Sequence, residues 1–332
     1  MTTWTTLDNG HIADVWASVC KESDAATFFH TSVWAEVLAR TFRQWTPKPV
    51  VLEFSDGNRM VLPLMQRKSL IPLGHYFESM PPGVYGGPLF TKEPTENHTR
   101  ALLQALDELP NVIVLGNPFG AQVVFPDDCS RSFYTHVLDL SVGMDRVLKN
   151  FRKGHVADIS AARRKGVEIS VASRREDVDA YFDIYQNTLS RWGDKASGFY
   201  PKRLFQNLFE LPEYGRSVKL WLARYNGNVA SGGWIFYHNR HAVYWHGAMH
   251  SDYAHSHPVH LMLVEAIGEA CREGFRWFDF NPSGGLKGVE HFKRGFGATP
   301  MSFFSYRRLG PLGRAFRLER YIKETLLHTC PV

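Results

Sequence analysis

Asp279 and Lys293 are the two side chains whose setting most suggests chemistry. Both lie in residues 271–300, CREGFRWFDFNPSGGLKGVEHFKRGFGATP. Asp279 sits in a short aromatic strand over 275–280, and Asn281-Pro282-Ser283-Gly284-Gly285 then turns the chain. A second short helix bears Phe292, Lys293 and Arg294, and Gly295 and Gly297 release it into a last strand. A carboxylate and a cation thus reach one end of a sheet, where α/β folds build sites from strand ends and loops. A carboxylate between aromatics needs a partner, because unpaired burial is costly. Asp279 could orient a lysine, accept an amine proton, cap the 282–285 turn or pair with Arg276. A positioned cation such as Lys293 can stabilise an oxyanion by about 3 kcal/mol; the plain alternative is a surface lysine.

Histidines crowd the region after residue 245: His246, His250, His255, His257 and His260. The i, i+3 pair His257/His260 could suggest a metal, but no flanking Cys, Glu or Asp completes a zinc set. The expectation is polar loop histidines and no metal, with His246 a candidate acid or base. A basic helical stretch carries Lys149, Arg152, Lys153, His155, Arg163, Arg164 and Lys165 against Asp158 alone. Lys149, Lys153 and Arg164 fall near one helical face and could track phosphates. A solvated face is the commoner outcome for such a stripe.

The chain of 332 residues suggests about two domains. Its 44% hydrophobic and 14% aromatic content can fill buried cores. A net charge of +5 is compatible with anionic substrates and too weak by itself to indicate nucleic acid. Cys20, Cys129, Cys271 and Cys330 are scattered without a CxxC, as expected of structural thiols in a reducing compartment. The first residues lack the basic and apolar regions of a signal peptide. No apolar run approaches the ~20 residues of a membrane span. A cytoplasmic protein is expected, with peripheral membrane contact left open.

The elements that must position these side chains follow from pattern. Helices are expected over 11–20 and 31–42, the second capped by Thr31 or Ser32. Strands over 49–54 and 60–65 are joined by the turn signal Ser55-Asp56-Gly57-Asn58. A strand near Tyr76, a glycine-rich loop over 81–88, a helix over 95–109 and strands over 111–116 and 133–139 complete a first cycle. A second cycle has helices over 143–150, 153–165, 175–191 and 201–210, with a strand over 167–171. A meander over 219–225, 229–237 and 242–247 turns first at Asn226-Gly227, before a helix over 258–273 and the strand over 275–280. Both cycles run helix, helix, strands, helix, strand. The expectation is two copies of one unit: a domain over 1–142, a domain over 143–310 carrying the site, and a basic amphipathic helix within 311–332.

This order, and particular words within it, resemble the FemAB-like branch of the GNAT superfamily. The words are FFHTSVWAEVL (28–38), VLPLMQRKS (61–69), GVYGGPLF (83–90), RKGHVADISAARRKGVEI (152–169), FYPKRLFQNL (199–208), AVYWHGA (242–248) and GFRWFDFNPS with GLKGVEHFKRGFG (274–297). Each is loose, and their order and spacing carry the signal across almost the whole chain. The resemblance implies an α/β fold with mixed sheets, as two tandem GNAT-like acyl-CoA N-acyltransferase folds. It also implies acyl transfer to an amine. The best-known relatives take aminoacyl-tRNA as donor and a peptidoglycan precursor as acceptor. Their key lysine corresponds to Lys293, which makes Lys293, Asp279 and His246 the catalytic candidates. Arg191, Lys202, Tyr244, Phe292 and Tyr85 are the substrate-binding candidates, and Lys149, Lys153, Arg163 and Arg164 the tRNA-phosphate candidates. Lys293→Met is expected to cut turnover and barely change stability.

Two departures bear on partners. Bridge-forming relatives carry a precursor-binding lysine where this chain has Leu38, which argues against a peptidoglycan-precursor acceptor. Residues 251–258, SDYAHSHP, lack the glycines that cradle the pyrophosphate of coenzyme A in ordinary acetyltransferases. The expected donor is therefore aminoacyl-tRNA or, failing that, acyl-CoA, with no tightly bound cofactor. The acceptor is an amine on a small molecule, peptide or cell-wall precursor. Two alternatives stay open: an acyl-CoA or acyl-carrier-dependent N-acyltransferase of amino-sugar or exopolysaccharide metabolism, and a non-catalytic binding protein that keeps the fold.

Overall fold

The computed structural model describes residues 4–6, 9–68, 75–81, 84–121, 123, 130–192 and 199–310. The expected helix within 311–332 lies outside them. In chain order the first elements are β1 (Trp4–Thr6), α1 (Asn9–Glu22), α2 (Ser32–Thr41), β2 (Trp45–Pro47), β3 (Val50–Phe54), β4 (Arg59–Leu62), β5 (Met65–Lys68), β6 (His75–Glu78), β7 (Leu89–Phe90), α3 (Glu96–Asp107) and β8 (Asn111–Leu115). There follow β9 (Ser130–Asp139), α4 (Met144–Lys149), α5 (Lys153–Arg164), β10 (Glu168–Val171), α6 (Arg175–Trp192), α7 (Lys202–Phe209), β11 (Val218–Tyr225), β12 (Asn228–His238), β13 (His241–Met249), α8 (Pro258–Arg272), β14 (Trp277–Asp279), α9 (Lys287–Gly295) and β15 (Thr299–Leu309). Among the described residues two compact units result: those up to Tyr134 together with Ser302–Gly310, and Thr135–Met301. The changeovers fall inside β9 and β15. No helix among the described residues is long and apolar enough to cross a membrane.

In the first unit, Thr31 caps α2, its hydroxyl accepting from the Trp34 N–H at 3.3 Å. That helix buries Trp34, Ala35, Val37 and Leu38. Leu38 is therefore core. The 55–58 turn forms as its residues dictate: Gly57 takes φ +77°, and the Asn58 N–H donates to Asp56 Oδ1. It sets β3 against β4 with Val50 opposite Leu62. The expected strand over 60–65 is two strands, because Pro63 offers no N–H to continue a ladder. β4 pairs with β3 and β7, whereas β5 pairs with β2 and β6. β6 runs parallel to β8, Phe77 opposite Val112, and α3 supplies the crossover. Leu52, Leu62, Leu102, Leu106, Val112 and Val114 form the core beneath.

The second unit orders its strands β10-β11-β12-β13-β14-β9. Asn226 and Gly227 both take positive φ, +50° and +78°, the tight turn whose twist matches a hairpin. The central strands are buried on both faces. A Cβ on Gly232 would meet Tyr181 of α6, and one on Gly233 would meet Met262 of α8. Helix α8 is correspondingly apolar around much of its girth, burying Val259, Leu261, Met262, Leu263, Val264, Ala266 and Ile267. It carries the chain from β13 to β14, which pair in parallel from His241·Trp277 to Val243·Asp279. β14 in turn pairs antiparallel with β9, Asp279 opposite Val137.

Candidate active site at the end of β14

The site grows from the place where β13 and β14 part. Their parallel pairing reaches Val243 and Asp279. Beyond that level β13 continues to Met249, while Asn281 takes φ +62° and turns the other chain away. Asparagine tolerates this left-handed conformation better than most residues. A register shift at Trp234/Ile235 sets His246 opposite Trp234 and Tyr244 opposite Ile235, leaving Trp245 as the extra residue of a bulge. A crevice at the carboxyl ends of parallel strands is where open α/β sheets take ligands.

Asp279 and Lys293 clamp the turn from two sides. Asp279 is fully buried, and its Oδ1 accepts from the Thr135 hydroxyl at 2.5 Å and the Asn281 N–H at 2.8 Å. Asp279 thus holds the backbone of Asn281, the residue just ahead of the 282–285 turn. Lys293 is buried too, at 0% exposure, and its Nζ donates to the Asn281 carbonyl at 2.6 Å and the Pro282 carbonyl at 3.3 Å. This corrects the expectation that its loss would barely change stability. An ammonium desolvated against carbonyls is a structural tether as well as a charge. Ser283, next in the turn, is buried, and its hydroxyl has no hydrogen-bond partner among the described residues.

His136 belongs to this cluster and went unnoticed in the sequence. Its carbonyl accepts the Phe280 N–H at 2.9 Å, and its Nε2 accepts from Arg294 Nε at 3.4 Å. Burial first, then the charges of Lys293 and Arg294, push its imidazole down to about 4. It is therefore neutral at pH 7. Only the β9–β14 pairing brings it here, 143 residues ahead of Asp279 in sequence (279 − 136).

His246 lies three residues beyond the Val243 level, about 10 Å further along the strand. Tyr181, Tyr185, Tyr200, Phe205 and Trp245 enclose it, with ring centroids 4.7 to 6.0 Å away. Burial holds its imidazole neutral by pushing it down to about 3. Nδ1 is 2.5 Å from the Tyr181 hydroxyl, and Nε2 has no hydrogen-bond partner among the described residues. With Tyr181 donating to Nδ1, Nε2 carries the proton. An unanswered buried N–H is a cost of about 1–3 kcal/mol that a ligand oxygen would relieve.

The remaining candidates are spread out. Tyr244 is buried, its ring against the Cα positions of Gly233 and Gly247. Phe292 packs by its edge on His260 and Phe296. Arg191 is exposed at the end of α6. Lys202 opens α7, its Nζ 2.7 Å from Asp179 and over the Phe182 ring. Tyr85 is buried in the first unit beside Phe119 and Phe303. Lys149, Lys153, Arg163 and Arg164 are exposed on α4 and α5, and Arg163 meets Glu265 of α8 at 2.9 Å.

The entry to α8 differs from a phosphate-cradling loop. Residues Ser251–Ser256 form a 3-10 turn that uses its own N–H groups. Asp252 donates to His250 Nδ1, Tyr253 to the His250 carbonyl, and His257 to the Ala254 carbonyl. The sequence offered no carboxylate beside His257 and His260. The fold supplies one, bringing Asp158 of α5 to 3.3 Å from His257 Nδ1 and 3.4 Å from His260 Nε2.

A family profile described as an acetyltransferase (GNAT) domain matches residues 149–294. No curated protein sequence matches the chain. Among solved structures, FemX is similar with a TM-score of 0.71 at 14% identity, covering 94% of this chain and 99% of that one. L-PGS from Bacillus licheniformis gives 0.56 at 13% identity, covering 94% and 96%. A tandem GNAT protein from the clavulanic acid biosynthesis pathway gives 0.50 at 10% identity, covering 93% and 98%. Such identities speak to fold. Residues 149–294 thus match a GNAT acetyltransferase profile, and the chain as a whole has a fold similar to those of FemX and the tandem GNAT protein.

Proposed function

We propose that this chain is an amide-forming acyltransferase that moves an aminoacyl group from aminoacyl-tRNA to an amine acceptor, at the opening beyond Val243 and Asp279. In this reaction the amine nitrogen attacks the ester carbonyl, a C–N bond forms and the ester C–O bond breaks. The amine proton ends on the departing hydroxyl. The buried ammonium of Lys293 and the neutral N–H of His246 are two sources of stabilisation for the oxyanion between those steps. Lys293 acts as a fixed charge behind the turn, and its Nζ meets a substrate only if the 281–283 turn opens. Asp279 is a positioning residue for that turn. The reaction uses a cytoplasmic donor, and the exposed stripe of Lys149, Lys153, Arg163 and Arg164 suits a polyphosphate.

One observation carries the preference for tRNA over coenzyme A. The segment leading into α8 has no glycine, and the N–H groups of Asp252, Tyr253 and His257 already bond within the turn. The burial of Asp279 and Lys293 favours one second reading, a binding protein that keeps the fold. Mass spectrometry of products, with charged tRNA or acyl-CoA pools and a panel of amines, separates the cases. An amide product with charged tRNA alone supports the proposal. A product with acyl-CoA alone overturns the donor, and no product with either favours the binding reading.

A further inference from the structure

Asp158, His257 and His260 take no part in the transfer described above. Asp158 stands in the middle of α5; His257 and His260 stand at the start of α8. One ligand atom from each falls within 4.8 Å of the others. We propose that these three residues form a binding site for a divalent first-row transition ion of the zinc class.

The distances fit. Zinc holds imidazole nitrogen at about 2.0–2.1 Å and carboxylate oxygen at about 2.0–2.2 Å, so donors in a tetrahedron stand roughly 3.3–3.5 Å apart. The Asp158 carboxylate reaches both imidazoles at about this spacing, Oδ1 at 3.3 Å from His257 Nδ1 and Oδ2 at 3.4 Å from His260 Nε2. The donor types also fit: two imidazoles and one carboxylate suit zinc, cobalt and nickel rather than calcium or magnesium. Three protein ligands leave a fourth tetrahedral position to water or an anionic oxygen.

The histidines are set for such a role. His260 is held by its neighbours: its ring lies edge-on to His155 at 4.7 Å and to Phe292 at 5.1 Å. His155 is itself tied to the Phe292 carbonyl through Nε2 at 2.9 Å. His257 takes φ +54°, a left-handed conformation that glycine adopts without strain. It occupies the N-cap position of α8, yet its side chain caps nothing. Its backbone closes the preceding 3-10 turn through the Ala254 carbonyl, a left-handed place that glycine would fill at less cost, so the imidazole side chain is left for another role. Exposures of 29%, 17% and 34% for His257, His260 and Asp158 leave an ion a path in.

The test uses the full chain, stripped by chelator and titrated with zinc alone by calorimetry. Cobalt replaces zinc for visible ligand-field bands. One ion per chain at micromolar affinity or tighter is expected, with a melting temperature that rises with zinc concentration. Asp158→Asn and His260→Ala should each weaken binding by about tenfold or more. His257→Gly is the sharpest variant. It relieves the left-handed strain, so the metal-free protein should melt no lower than wild type while zinc binding is lost. His255→Ala, on the neighbouring turn, should bind as wild type. No heat and no ligand-field bands would overturn the site, as would equal affinity in wild type and His257→Gly.

Discussion

Replacing Lys293 by methionine keeps the aliphatic stem and removes the ammonium. In wild type that ammonium serves two carbonyls, Asn281 at 2.6 Å and Pro282 at 3.3 Å. Hydrogen bonds from a charged group contribute about 1.5–3 kcal/mol each. The desolvation of the buried cation offsets a good part of that sum. After the change, the carbonyl of buried Asn281 loses its closer partner, and a buried polar group left alone costs about 1–3 kcal/mol. The left-handed turn at Asn281 also loses one of its two clamps. A net loss of about 2 kcal/mol follows, or roughly 4–8 °C in melting temperature for a unit of this size. Turnover, assayed well below the melt, should fall about 100-fold or more if the charge stabilises the oxyanion. Lys287→Met, exposed at the start of α9, is the control and should change neither quantity. An unaltered melt would refute the tether, and full turnover at a lowered melt would refute the electrostatic role.

Other outcomes follow from the same geometry. His246 is depressed to about 3 in the fold, so its stability contribution is complete above its unfolded value near 6.5 and is lost as pH falls toward 3. Denaturant melts between pH 7.5 and 5 should show that loss approaching about 1.4 kcal/mol per pH unit, and His246→Gln should flatten it. Gly247→Ala drives a methyl into the Tyr244 phenol and should destabilise by about 1–3 kcal/mol in the same melts. Arg163→Glu with Arg164→Glu should weaken tRNA binding and flatten its salt dependence; an unchanged slope leaves the stripe a solvated face. Calorimetry with coenzyme A should show no micromolar binding, because the α8 entry uses its N–H groups internally.

What could be read in the sequence was local. The Thr31 cap, the turns at Gly57 and Asn226-Gly227, and the long periodic helices are fixed by neighbours within a few residues. The strands β1, β2 and β7 were not expected; they are two or three residues long and exist through pairing rather than pattern. Pro63 was present to be read as a strand end, and its missing N–H is the reason the chain changes partners there. The site was legible only in part for the same reason. Asp279, Lys293 and Phe292 fall in one stretch, so their association follows from sequence. His136 and Asp158 arrive through a strand pair and a helix packing that no spacing rule anticipates.

One repeated signal did lie in the sequence. The strand after the crossover helix ends in Asn-Pro in both units, at Asn117-Pro118 beyond β8 and Asn281-Pro282 beyond β14. The two are used differently. Asn117 works through its side chain, accepting from the Phe119 N–H and donating to the Ala25 carbonyl. Asn281 works through its backbone, left-handed, with its N–H held by Asp279 and its carbonyl by Lys293. At the matching place the first unit has Leu115, an apolar residue, where the second has Asp279. A desolvated acid is thus kept at only one of the two equivalent strand ends. Burying charge there is costly unless every partner is in place, so the unit that does so is the one in which the reaction is proposed.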